Sequence, residues 1–247
     1  MNAPPEAQLR LLDLQDLDTT LGRLAHRRRT LPELAELARA EQRVGELRDA
    51  RVGAETEDSD LARAQRKAEQ DVDQVRARAV RDRQRLDAGA VSSPRELESL
   101  QSELASLARR QEELEDAVLD VMERREAVAA RLEEVRAQQA VVEAEVTKLV
   151  EVRDAAYAEI DAEAARAAAD RADVARELPG GLVALYERVR AASAGVGAAR
   201  LYRGRCEGCH LQLNPADLGA LRAAAPDAIV RCEECRRILV RTPESGL

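Results

Sequence analysis

The chain has 247 residues and a formal net charge of −8, with 35% charged residues, 1% aromatic residues, and neither Trp nor Phe. A thick core of bulky side chains is excluded, and long amphipathic helices meeting along a narrow apolar seam are the favoured arrangement. An acidic chain also repels phosphate, which places nucleic acid behind protein as a partner.

Met1 to Gln15 carries no basic stretch followed by an apolar one, and nowhere do about 18 apolar residues run together. The reading is a cytoplasmic protein without a membrane partner. The first arm, from about Pro5 to Asp87, shows coiled-coil spacing at Leu14, Leu17, Leu21, Leu24 and Leu31, then at Val72, Val75, Ala79 and Leu86. Its middle, Arg48 to Asp60, is nearly all polar or small. Pro32 interrupts the pattern, and Thr30 with Glu33 three residues later has the form of a capping box, so a break or kink is expected there.

The tip falls at about residues 88–94. Gly89 suits the end of one helix, and Ser93, Pro94 and Glu96 supply an N-cap, a first-turn proline and an acid for the next. From Leu97 the apolar spacing alternates three and four without a slip through Leu100, Leu104, Leu107, Leu114, Val118 and on to Ile160. Gln111, Arg125, Gln139 and Arg153 occupy seam positions where a coiled coil accepts polar residues that set register. One helix from about Pro94 to Glu177 follows. The two arms are nearly equal in length, so they can pair throughout, over roughly 120 Å at 1.5 Å per residue.

The predicted fold is mainly α: an antiparallel coiled-coil hairpin over 1–178, a short helix and linker over 179–194, and a small β zinc ribbon over 195–247. Pro179-Gly-Gly181 stops the second arm, and Gly195-Val-Gly197 links to the ribbon. About 50 residues are too few to hold themselves by apolar burial, so the last domain needs a staple.

Cys206-Glu-Gly-Cys209 and Cys232-Glu-Glu-Cys235 provide it. Two CxxC turns, each presenting two sulfurs on one side, suit one tetrahedral Zn²⁺. With four protein ligands no position remains for an activated water, and the metal is structural. Cys206-x-x-Cys209-His210 also matches haem attachment, but that would leave the second CxxC idle and offers no suitable axial Met. A thioredoxin-like motif lacks its βαβ setting. His26 and His210 read as exposed polar residues. No P-loop, dinucleotide fingerprint or HExxH occurs, so neither an enzyme nor a small-molecule substrate is expected.

Residues 195–247 carry a formal charge of +2 before metal binding, and four thiolates with one Zn²⁺ bring this to about zero. Arg203, Arg205, Arg236 and Arg237 form the candidate nucleic-acid set, with Tyr202 as a stacking aromatic.

The tip Ser93-Pro-Arg-Glu-Leu-Glu-Ser-Leu-Gln101, the segments Leu114-Glu-Asp116 and Met122-Glu123, and the two knuckles ending in Cys235-Arg-Arg-Ile-Leu239 resemble the bacterial four-cysteine zinc-ribbon, coiled-coil hairpin family, formerly a domain of unknown function. The resemblance covers essentially the whole chain. It departs from the family pattern at Ser92 and Ser93, where Asn is usual, and at Arg236, where Gly usually follows the last cysteine. It implies an adaptor or regulator, since relatives are linked to flagellar or secretion systems, to an alternative sigma factor and in part to RNA. The expectation is a non-enzymatic scaffold binding protein partners through the ribbon, through the tip residues Ser93, Arg95, Glu96, Leu97 and Glu98, or through both. Nucleic-acid binding through the ribbon is the alternative.

Overall fold

The computed structural model describes residues 1–89 and 93–247. Among the described residues, five helices and four strands occur in the order α1 (Pro5–Arg29), α2 (Pro32–Asp87), α3 (Pro94–Glu177), α4 (Gly180–Ala192), β1 (Ala198–Tyr202), β2 (Arg205–Cys206), α5 (Pro215–Ala223), β3 (Val230–Arg231) and β4 (Ile238–Val240). A long helical hairpin is followed by a small C-terminal strand region. Two compact units result, residues 1–35 with 151–247, and residues 36–150.

The first arm is two helices, as Pro32 leads one to expect. The proposed capping box does not form. Thr30 ends α1, its backbone N–H reaching the carbonyls of His26 and Arg27 and its hydroxyl donating to His26 O at 3.0 Å. Glu33 Oε2 is left buried without a partner. A hydroxyl one residue closer to the preceding helix finds that helix's free carbonyl first.

In the unit formed by 36–150, Ala54, Leu61 and Val128 are buried, with Val121 and Leu132 packed against them. The second-arm seam is legible in burial: Leu100, Val128 and Gln139 are buried and the intervening seam positions half-buried. Leu97 is 39% exposed, so burial begins at Leu100, not Leu97. In the polar middle of α2, Asp58 belongs to a polar layer shared with the second arm. Arg125 Nε donates to Asp58 Oδ1 at 2.9 Å, and Arg125 Nη1 to Gln65 Oε1 at 3.3 Å. Only one alignment of the arms brings these three together, so the layer fixes register at some cost in packing.

At the turn, Gly89 has φ +64°, a conformation that suits glycine at a helix C-terminus. Ser93 Oγ accepts the N–H of Glu96 at 3.2 Å and caps α3. The rest of the 88–94 turn, including Ser92, lies at 90–92, outside the described residues.

The other unit packs the base of the hairpin against the strands. The sheet order is β2-β1-β4-β3, with β1 and β4 parallel and the two outer pairs antiparallel. Alternation along the central strands sends side chains to opposite faces. Ala198, Ile238 and Val240 join Leu11, Leu14, Leu178, Leu182 and Tyr186 in one core. Ala199, Leu201 and Leu239 join Leu213, Leu221 and the cysteines in another. The central pair is therefore covered on both faces, and the ribbon does not rest on metal alone. The N-terminus adds to this, Ala3 N donating to Asp227 O at 2.8 Å and Ile229 N to Met1 O at 3.3 Å.

Candidate metal centre

The β1–β2 pair leads into the first knuckle, and the β3–β4 pair flanks the second. The two knuckles share one geometry. In the first, His210 N donates to Cys206 O at 2.7 Å and Cys206 N to Leu211 O at 3.0 Å; in the second, Arg236 N donates to Cys232 O at 2.9 Å and Cys232 N to Arg237 O at 3.0 Å. The residue after each second cysteine, His210 or Arg236, has φ +62°. This left-handed step closes the turn and is where a Cβ is least welcome.

All four Sγ atoms lie within 4.8 Å of one another. Cys206 Sγ is 3.8 Å from Cys235 Sγ, and Cys209 Sγ is 3.9 Å from Cys232 Sγ. A tetrahedron with Zn–S bonds of about 2.3 Å has edges of about 3.8 Å, so the donor set and its spacing fit one Zn²⁺ held by Cys206, Cys209, Cys232 and Cys235. Burial pushes the Cys206 and Cys232 thiols up. For Cys235 burial acts in the same direction, but the backbone N–H of Arg237 and hydrogen bonds with Cys232 and Cys209 outweigh it and bring the thiol down to about 7. The charge that zinc supplies is what makes four clustered thiolates tolerable.

The CT398-like coiled coil hairpin domain matches residues 14–194, and the C4-type zinc ribbon domain matches residues 205–239. The chain belongs to the CT398-like coiled-coil hairpin family. An uncharacterized protein of Mycobacterium tuberculosis strain H37Rv is 40% identical over 245 residues, 98% of each chain. A solved Mycobacterium smegmatis structure is 34% identical, with a TM-score of 0.86, and covers 98% of this chain and 100% of its own. CT398 of Chlamydia trachomatis shares the fold at 21% identity and a TM-score of 0.76, over 96% of this chain and 98% of its own. The C4-type ribbon of this CT398-like chain holds one structural zinc, in keeping with its closed four-sulfur set.

Around the ribbon of this family member, the arginines divide. Arg237 is half-buried and donates to three backbone carbonyls: Gly208 at 2.9 Å, Ser193 at 3.1 Å and Val196 at 3.2 Å. It ties the second knuckle to the first and to the linker, so its guanidinium is engaged within the chain. Gly208 is needed beneath it, since a Cβ there would stand 2.7 Å from Arg237 Cδ and 2.9 Å from Ala199 Cβ. Arg241 is spent in the same way on carbonyls between Leu221 and Ala228. Arg236 pairs with Glu233 at 3.1 Å. Arg203 stands over the Tyr202 ring, 5.2 Å from its centroid, and Arg205 is exposed.

At the start of α3, Arg95, Leu97 and Glu98 are exposed. Ser93 is engaged as a cap, and Glu96 lies 3.9 Å from Arg85.

Sequence reasoning missed the rivet between ribbon and hairpin base. Gln15 Oε1 accepts from Gly197 N at 2.7 Å and Ala198 N at 3.3 Å. Tyr186 Oη donates to Asp18 Oδ2 at 2.8 Å and stands 3.1 Å from Gln15 Oε1. Asp18, only 2% exposed at its side chain, also takes Arg171 at 2.7 Å and Arg190 at 3.1 Å. Two guanidinium groups and a phenol satisfy the buried carboxylate, as a buried charge requires. The helix α5 was also missed, although Asn214, Pro215 and Asp217 signal it: Asn214 Oδ1 accepts from Asp217 N at 2.8 Å.

Proposed function

We propose that the protein is a non-enzymatic, cytoplasmic adaptor that binds protein partners through the start of α3, the ribbon, or both. The observation that carries this reading is the closed metal centre. Four cysteine sulfurs fill the coordination shell, leaving the zinc no open position for a substrate or an activated water. The zinc then serves to hold the ribbon against the hairpin base. Supporting it, Arg95, Leu97 and Glu98 stand exposed beside the capped turn, where side chains free of internal duties suit recognition. No described helix is long and apolar enough to cross a membrane. The diversion of Arg237 and Arg241 to backbone carbonyls leaves the nucleic-acid reading with Arg203 and Arg205 as its main free cations.

The test is capture of partners at physiological salt by the full chain, by Arg95→Ser/Leu97→Ser/Glu98→Ser, and by Arg203→Ser/Arg205→Ser. The adaptor reading expects nuclease-resistant protein capture, lost in the first variant with helicity unchanged. RNA or DNA retention that is lost only in the second variant and falls steeply with salt overturns it.

A further inference from the structure

The unit formed by 36–150 carries a groove along one edge of the seam, where Leu119 and Met122 stand exposed beside the seam residues Val118, Arg125 and Leu132. Two clefts lie along α2 and α3. Their α3 residues, from Glu115 through Val118, Leu119, Met122 and Arg125 to Glu133, recur at intervals of three and four and therefore form one helix face. On α2, Asp58, Gln65 and Val72 recur at sevens, which likewise defines one face. The clefts are thus successive parts of one groove, about 27 Å long over the 18 steps from Glu115 to Glu133 at 1.5 Å each.

Its floor is apolar: Leu119 and Met122 beside the seam residues Val118 and Leu132, with Val72 buried beneath. Leu119 is 56% exposed and Met122 39%, although a two-helix seam is complete without them. Its walls are acidic, with Asp58, Glu69, Asp73, Glu115, Glu126 and Glu133. Of these acids Glu115 is paired with Arg76 at 2.6 Å, Asp58 with Arg125 at 2.9 Å and Glu133 with Arg136 at 2.9 Å, and six acids against the two lining arginines leave the groove net negative. Around Leu119 on its own helix, Glu112, Asp116 and Glu123 add further negative charge.

An exposed apolar strip between two helices accepts a third helix through a stripe at i, i+3, i+4 and i+7. The acidic walls select its flanks. A second copy of this chain would bring acid against acid in the same groove, at a repulsive cost. We propose that this groove binds an amphipathic helix of a partner protein whose apolar stripe is flanked by Lys or Arg. The inference rests on the adaptor reading and names the chemistry of a partner segment and a seat for it built from residues other than the turn and ribbon sets.

The test uses a labelled synthetic 18-residue helix with Leu at the stripe positions and Lys on the flanks, and a twin with Glu replacing Lys. Full-length protein should bind the Lys peptide saturably at one per chain and ignore the Glu twin. Leu119→Ser/Met122→Ser should weaken binding by about tenfold or more, while Val141→Ser, at an exposed apolar residue outside the groove, should leave it unchanged. Equal affinity for Leu119→Ser/Met122→Ser would reduce the effect to diffuse charge attraction and overturn the proposal, as would no saturable binding. A dimer dissolved by Leu119→Ser/Met122→Ser would overturn it in favour of a second copy. Undiminished partner capture by Leu119→Ser/Met122→Ser sinks the groove alone. Absence of any protein capture by the unmodified chain, with the peptide still bound in the groove, sinks the adaptor reading alone.

Discussion

The side-chain oxygen of Gln15 accepts the backbone N–H of Gly197 at 2.7 Å, joining the first helix to the residue that opens the ribbon. The same amide donates to Gly195 O at 3.2 Å and Thr19 Oγ1 at 3.1 Å, so both ends of the Gln15 side chain are used. Gln15→Leu removes the acceptor and leaves Gly197 N–H buried without it. Unfolding by urea should report a loss of about 2 kcal/mol, with faster release of zinc to a colorimetric chelator. Gly197→Ala should be at least as damaging, because a Cβ there would lie 2.7 Å from the Tyr186 ring.

Tyr186 should resist ionisation. Burial first, and then its hydrogen bond to Asp18, push the Tyr186 hydroxyl well above its ordinary range. A folded-state value raised above the unfolded one stabilises the fold fully below the unfolded value, and that contribution is lost as pH climbs toward the folded value. In an alkaline titration, the Tyr186 phenolate signal should appear only together with loss of helical circular dichroism. Tyr186→Phe should abolish that coincident step. A phenolate signal from Tyr186 in fully folded protein contradicts the buried assignment.

Arg236 and Arg237 are neighbours with opposite expectations. Arg236 sits at φ +62°, where glycine is unstrained, so Arg236→Gly should stabilise the ribbon by about 0.5–1 kcal/mol and slow zinc loss. Arg237→Ser abandons three backbone carbonyls and should destabilise it by about 2–3 kcal/mol. Chelator-challenge kinetics on the two single variants check both signs.

Much of the hairpin was legible because its cause is local and periodic. Seam spacing from Leu100 to Ile160, the proline at position 32 and the Ser93 cap each act within a turn or two of helix. The cysteines were legible because CxxC spacing is itself the ligand geometry. The seats of Gln15, Asp18, Tyr186 and Arg171 were not, since their partners lie more than 150 residues away in several cases, and a polar residue in a seam looks the same whether it sets register or bridges to another element. Thr30 and Glu33 misled for a related reason: the spacing of a capping box does not say which helix end the hydroxyl will serve.

The Asp58, Gln65 and Arg125 layer should trade stability for register. Replacing all three with Leu joins the apolar seam above and below and should raise the unfolding midpoint. Removing only Asp58 as Asp58→Ala leaves Arg125 half-buried without its carboxylate and should lower it. Disulfide trapping between cysteines introduced across the arms should find one register in the parent and additional registers in the triple-Leu variant.

The central claim is that one structural zinc holds a ribbon riveted to the hairpin base. Hydrogen exchange on the full chain, measured with metal content before and after chelation, tests it most directly. The account predicts about one zinc per chain, and on its removal a rise in exchange across β1 to β4 that extends to the first helix around Gln15, while residues 36–150 keep their protection. Protein purified without chelator that holds no zinc, yet keeps the four strands protected, would contradict it.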